Sequence, residues 1–256
     1  MNYEGFEEKG DLLNAFIPAP RFDQPGLNDF ASNFNLQFSI ERIEHKNWNE
    51  EWEKSFQPVI IQKGGELVSF AGIRAAFHEP LKNVEHEIII TPRMSFGTGH
   101  HPTTAMMIRM MSELPFESRA VLDFGTGTGI LAILSAKLGA STVVAIDCDD
   151  QSIENATANF KSNNSENISL LKASSATFDS VFDIILANLT KQLILDNLPA
   201  FATALKDGGV VLLSGLLQEH VDEVEMIGIS NHLYLEKKCE SDRWICLEMR
   251  YKSGIN

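Results

Sequence analysis

The 256-residue sequence predicts an α/β protein: a doubly wound, mostly parallel seven-stranded sheet preceded by a small α+β domain. Three observations carry this. From Pro102 onward, strand-like and helix-like segments alternate, as repeated βαβ units require. Strand candidates such as Val143–Asp147 (VVAID) and Ile184–Asn188 (IILAN) are nearly continuous apolar runs, as a sheet covered on both faces demands. Gly125, Gly127 and Gly129 fall where a strand turns into a helix, the edge at which such sheets bind ligands.

The elements follow in order. Residues 1–45 read as the small domain. Leu12–Ile17 is a strand closed by Pro18, and Gln24–Phe34 is a helix. Leu36–Ile43 alternates apolar and polar residues, the mark of a half-buried strand. Trp48 and Trp52 are four apart, on one face of a linker helix over 46–57 that Pro58 ends. The main domain, 58–256, opens with strands at Val59–Ile61, Leu67–Ala71 and His86–Thr91. Strands at Ala120–Asp123, Thr142–Asp147, Ile168–Leu171, Phe182–Ala187 and Val210–Ser214 then alternate with helices at Ile130–Leu138, Asp150–Lys161, Lys191–Leu205 and Leu216–Ile227. His232–Cys239 and Trp244–Tyr251 have no helix between them, so they form an antiparallel hairpin at the end of the sheet.

Composition narrows the partners. An apolar fraction of 44% supports a real core. Lys plus Arg total 21 against 35 Asp plus Glu, a net charge of −14 that repels nucleic-acid phosphates. No basic run offsets it, so direct nucleic-acid binding is not expected. Cys148, Cys239 and Cys246 are too few and too scattered for a disulfide framework or a zinc site, and are expected to be free thiols. The acidic N-terminus lacks the apolar stretch of a signal peptide, and no run reaches membrane-spanning length. A cytoplasmic protein is expected.

The chemistry concentrates in a few segments. Behind Asp123 the glycines are spaced GxGxG; the dinucleotide fingerprint needs glycine at position 130, which is Ile130. Asp147 ends the next strand, 18 residues past Gly129, where a carboxylate can accept hydrogen bonds from both hydroxyls of a ribose. Asp149 or Asp150 is placed to cap the following helix. Asn188 ends the fourth strand of the alternating series, either at the site or as a cap for the next helix. Upstream, Pro102 opens a helix after His100 and His101, two neighbours that cannot both face one metal from a helix; no metal is expected. Met106, Met107, Met110 and Met111 recur at helical spacing as core.

Together the strings FGTGHHPTT, LDFGTGTGILAI, AIDCDD, ILANL and a late LLSGLL resemble the ribosomal protein L-11 methyltransferase family, as does NWNEEWEKSFQP before them. The resemblance covers nearly the whole chain. It implies a class I methyltransferase fold and S-adenosylmethionine as methyl donor, leaving S-adenosylhomocysteine. It also implies lysine side-chain and N-terminal amines of a large-subunit ribosomal protein as acceptors. By matching motifs it implies cofactor contacts at Thr104, Gly125, Asp147 and Asn188, with Gly127 in the same turn, and it makes the small domain a substrate-recognition module. Members usually begin with an extra strand and helix that this chain lacks, and His100 and Leu189 replace residues common in the family. Sister enzymes acting on planar amides or bases carry Asn-Pro-Pro-aromatic where this chain has Asn188-Leu189-Thr190-Lys191, which favours an aliphatic amine. The alternatives are a nicotinamide-dependent oxidoreductase, against which Ile130 weighs, and a non-catalytic nucleoside-binding protein of the same fold.

Overall fold

A computed structural model describes residues 3–10, 12–42, 56–63, 68–92, 97–174 and 181–254. The chain divides into two compact units, Met1–Trp48 and Asn49–Asn256.

In the first unit, β1 (Gly5–Lys9) pairs antiparallel with β2 (Leu12–Phe16), and α1 (Gln24–Phe34) follows. The Asp23 carboxylate caps α1 by accepting from the Gly26 amide, and Asn35 ends it in the left-handed region at φ 49°. Two expectations need correction. β1 was not foreseen, because its charged, exposed residues Glu7, Glu8 and Lys9 show no apolar alternation. The strand expected over Leu36–Ile43 is absent from 36–42: β1 and β2 pair with each other, and Leu36, Phe38 and Ile40 remain exposed. Ile43, and the expected linker helix as far as residue 55, lie outside the described residues; Phe56 and Gln57 are described and are not helical.

The second unit holds two sheets. In the smaller, β3 (Val59–Ile61) runs antiparallel to β4 (Ser69–Ala75), which runs parallel to β5 (Val84–Ile90). Leu67, expected in a strand, lies outside the described residues. Buried Arg74 is held by Glu87 through Nε–Oε1 and Nη2–Oε2 bonds of 2.8 and 2.9 Å, so the pair is fixed bidentately.

The larger sheet has seven strands among the described residues, in the order β11-β12-β10-β9-β6-β7-β8. Five are parallel: β6 (Ala120–Phe124), β7 (Thr142–Asp147), β8 (Ser169–Lys172), β9 (Phe182–Asn188) and β10 (Leu205–Leu217). The expected hairpin, β11 (Leu233–Ser241) and β12 (Trp244–Tyr251), joins antiparallel at one edge. The helices are α2 (Pro102–Met111), α3 (Ile130–Lys137), α4 (Asp150–Ser162), α5 (Lys191–Ala204) and α6 (Val221–Ser230). α6 starts five residues later than expected because β10 runs on to Leu217 through a bulge at Gly215.

Side chains alternate between the faces of a strand, and β9 shows why its sequence is continuously apolar. Ile184 and Leu186 enter one core with Met106, Met107, Met110 and Met111 of α2. Ile185 and Ala187 enter the other with Leu198 and Phe201 of α5. The four methionines are thus packing residues.

Candidate functional site

β6, β7 and β9 are neighbouring parallel strands, so the residues at their carboxyl ends share one edge of the sheet. After β6 the chain makes a turn in which Gly125, Gly127 and Gly129 have φ of 76, 55 and 80°. A side chain at Gly125 would collide with Leu189. The Ile146 carbonyl accepts from both the Gly125 and Thr126 amides, at 2.9 and 2.8 Å, tying the turn to β7.

Two carboxylates hold this turn in different ways. Asp123 is fully buried; its Oδ2 accepts from Thr126 Oγ1 at 2.6 Å and from the Ala132 amide at 3.1 Å. Burial pushes its pKa up to about 7, the two hydrogen bonds opposing this and the charge of Asp147 adding to it. Asp147 is half-buried: Oδ2 accepts from the Gly127 amide at 2.9 Å and Oδ1 from the Asp149 amide at 3.0 Å. A carboxylate offers about four acceptor sites, so lone pairs remain after these two bonds. Asp149, not Asp150, caps α4, accepting from the Ser152 amide at 2.9 Å.

Asn188 ends β9, and Thr190, not Asn188, occupies the cap position of α5. The Asn188 Nδ2 donates to Thr104 Oγ1 of α2 at 3.3 Å, which brings two of the expected site residues together from positions 84 apart in sequence. Asn188 Oδ1 is buried and, among the described residues, has no hydrogen-bond partner. An unsatisfied buried acceptor costs roughly 1–3 kcal/mol, so this atom is poised for a donor that no described residue supplies. The next residue is wedged: the Leu189 amide donates to the Ser214 carbonyl at 2.9 Å, and any side chain at Gly215 (φ 89°) would strike the Leu189 backbone. That gives the glycine of LLSGLL its role.

His101 caps α2, its Nδ1 facing the Thr103 amide at 3.4 Å, and its ring meets Trp244 edge-on at 4.9 Å. His100 instead meets Phe56 at 4.7 Å. Among the described residues no group of three His, Cys, Asp or Glu side chains is placed to hold a metal.

Two contributors were missed from sequence. Thr128 Oγ1 donates to the Gly97 carbonyl at 2.6 Å. Fully buried Asn159 of α4 donates to the Thr128 carbonyl at 2.8 Å and accepts from the Thr91 amide at 2.8 Å. Together they fasten the glycine turn to the segments on either side of residues 93–96. The signal was available: Asn155 and Asn159 of α4 and Asn163 just past its end recur every four residues and are all buried, where polar residues need a reason.

The family model for ribosomal protein L11 methyltransferase (PrmA) matches residues 23–252. The chain belongs to the ribosomal protein L11 methyltransferase family. A relative of that name from Porphyromonas gingivalis is 38% identical over 86% of this chain and 77% of its own length. Another from Phocaeicola vulgatus is 35% identical over 93% of this chain and 86% of its own. The crystal structure of ribosomal protein L11 methylase from Lactobacillus delbrueckii subsp. bulgaricus superposes with a TM-score of 0.66 at 30% identity, covering 73% of this chain and 96% of that one. Membership in this methyltransferase family leaves the oxidoreductase and the non-catalytic nucleoside-binding protein without support. It accords with Ile130, buried at the start of α3 where a dinucleotide fingerprint needs glycine.

Proposed function

We propose that this chain is a cytoplasmic enzyme that transfers methyl groups from S-adenosylmethionine to lysine side-chain and N-terminal amines of large-subunit ribosomal protein L-11. The observation that carries the reading is Asn188 Oδ1, a buried acceptor without a partner among the described residues, on the sheet edge shared with the glycine turn and Asp147. The cofactor supplies an already activated methyl group on a sulfonium. The donor set suits such a ligand. Asp147 has free lone pairs for ribose hydroxyls, and the turn at Gly125 and Gly127 presents bare backbone for the methionine part. Thr104 closes the site from α2. No metal is invoked.

The protein's own task is orientation. Asn188 Oδ1 accepts an N–H of the incoming amine and aims its lone pair, while Thr104 holds the Asn188 amide in place. A lysine of ordinary pKa is neutral in roughly one molecule in a few thousand at pH 7. Desolvation at the site raises that fraction, so no strong general base is needed. Residues 1–45 are assigned to recognition of the protein substrate.

Calorimetric titration with S-adenosylmethionine tests the site. Asp147→Ala should weaken binding by roughly 10–150-fold, the equivalent of about 1.5–3 kcal/mol for charged hydrogen bonds, with an unchanged melting curve. Undiminished affinity would refute the ribose assignment. Intact-mass analysis of L-11 after incubation tests the acceptor; an unmodified L-11 beside a bound cofactor would overturn the substrate.

A further inference from the structure

The register of the edge hairpin sets Cys239 of β11 directly opposite Cys246 of β12. Directly opposed residues in an antiparallel pair lie about 4.5 or 5.5 Å apart at Cα. Both spacings fall within the roughly 4.4–6.8 Å that a disulfide spans, and both side chains leave the sheet on the same face. The two side chains pack on that face against one core, and Cys246 Sγ lies 3.5 Å from Met107 Sδ. Their surroundings differ. Cys246 is fully buried, while Cys239 is half-buried and reaches solvent. The neighbouring Cys246 thiol, with the positive charges of Arg109 and Lys237, lowers the pKa of Cys239 to about 7, and burial pushes that of Cys246 up. One thiol is therefore built to react first and the other to follow.

We propose that Cys239 and Cys246 are a thiol modification site that closes to a cross-strand disulfide when the protein meets a peroxide. The Cys239 thiolate attacks one peroxide oxygen; the S–O bond forms, the O–O bond breaks and hydroxide leaves, taking up the proton that the thiol lost. The Cys246 sulfur then attacks the resulting sulfenic acid. The S–S bond forms, and the hydroxyl departs with the Cys246 proton as water. Two thiols are oxidised, one peroxide is reduced and two waters result. The pair lies close to the site: Cys246 registers with Ser214, which registers with Asn188 on its other side, and Met107 is one turn beyond Thr104 in α2.

The test uses the full chain carrying Cys148→Ser, so that only this pair can react. After hydrogen peroxide, alkylation of remaining thiols and trypsin, cleavage following Lys238 and Arg243 places the two cysteines in separate peptides. The expected result is a monomer lighter by two hydrogens, with those peptides joined and released by dithiothreitol. Two alkylated cysteines, a link between chains, or Cys239 overoxidised beside a free Cys246 would each overturn the proposal. Cys246→Ser leaves the first step unresolved, so a dimedone adduct at Cys239 should rise several-fold over the parent; no rise would remove Cys246 from the resolving role.

Discussion

The two units use the same apolar residue types for opposite ends. In the second, β4 is wholly buried and the seven-stranded sheet is packed on both faces. In the first, Ala31 is the only apolar side chain buried among the described residues, while Phe6, Leu12, Leu13 and Phe34 are each more than 60% exposed. A unit of this length has little interior to fill, so its apolar side chains remain on the surface. The lesson is that burial in the second unit secures a fold that positions a site, whereas apolar residues in the first stay outside any core, which suits the recognition role proposed for residues 1–45.

Stability should separate the units most sharply. Leu186→Ala removes a fully buried side chain from the middle of β9 and should cost about 2–5 kcal/mol in urea unfolding. Phe34→Ala, at 64% exposure, should stay within about 0.5 kcal/mol. Equal losses would erase the distinction.

How much of this was legible follows the same division. The second unit's sheet could be read because two-sided burial writes itself as continuous apolar runs, and because glycine is demanded where Leu189 comes close to Gly125 and Gly215. The first unit misled. Leu36, Phe38 and Ile40 alternate like a strand with a core to face, but they face none; β1 pairs through its backbone, which leaves no side-chain signature. Within the site, the carboxylate Asp147 and the strand-end Asn188 could be placed from topology alone. The contact between Asn188 and Thr104 could not, since it depends on where α2 packs. The staple from Asn159 was readable in principle from its helical spacing, yet its partners are backbone atoms that carry no residue code.

The buried carboxyl of Asp123 makes the second unit's stability pH-dependent. Its folded-state value of about 7 lies above the 3.8 of an unperturbed side chain. The folded protein therefore binds the proton more tightly across that interval. This contribution is complete below about pH 4, declines as pH rises and is gone above about pH 7, a change of the order of a few kcal/mol. Asp123→Asn keeps an acceptor for Thr126 and the Ala132 amide and should flatten the decline in chemical-denaturation curves taken across the range. A wild-type profile without that slope would mean that the carboxyl ionises freely in the fold.

A smaller effect is expected at Asn188. Asn188→Ala should lower kcat by roughly 5–150-fold, about 1–3 kcal/mol for a lost orienting hydrogen bond. The affinity for S-adenosylmethionine should change much less. A loss confined to cofactor affinity would move Asn188 from the amine to the cofactor alone.

The smallest effect on stability carries the comparison furthest. Phe34→Ser with Leu36→Ser trades two exposed apolar side chains of the first unit for hydroxyls, at positions with no buried packing to lose. Melting temperature and cofactor affinity should hold, because every residue assigned to the cofactor lies in the second unit. If the first unit recognises the protein substrate, KM for L-11 should rise several-fold at constant kcat, the pattern of lost uniform binding. A fall in kcat with KM unchanged would instead place these residues in service of the reaction, and recognition would have to be sought on the surface of the second unit.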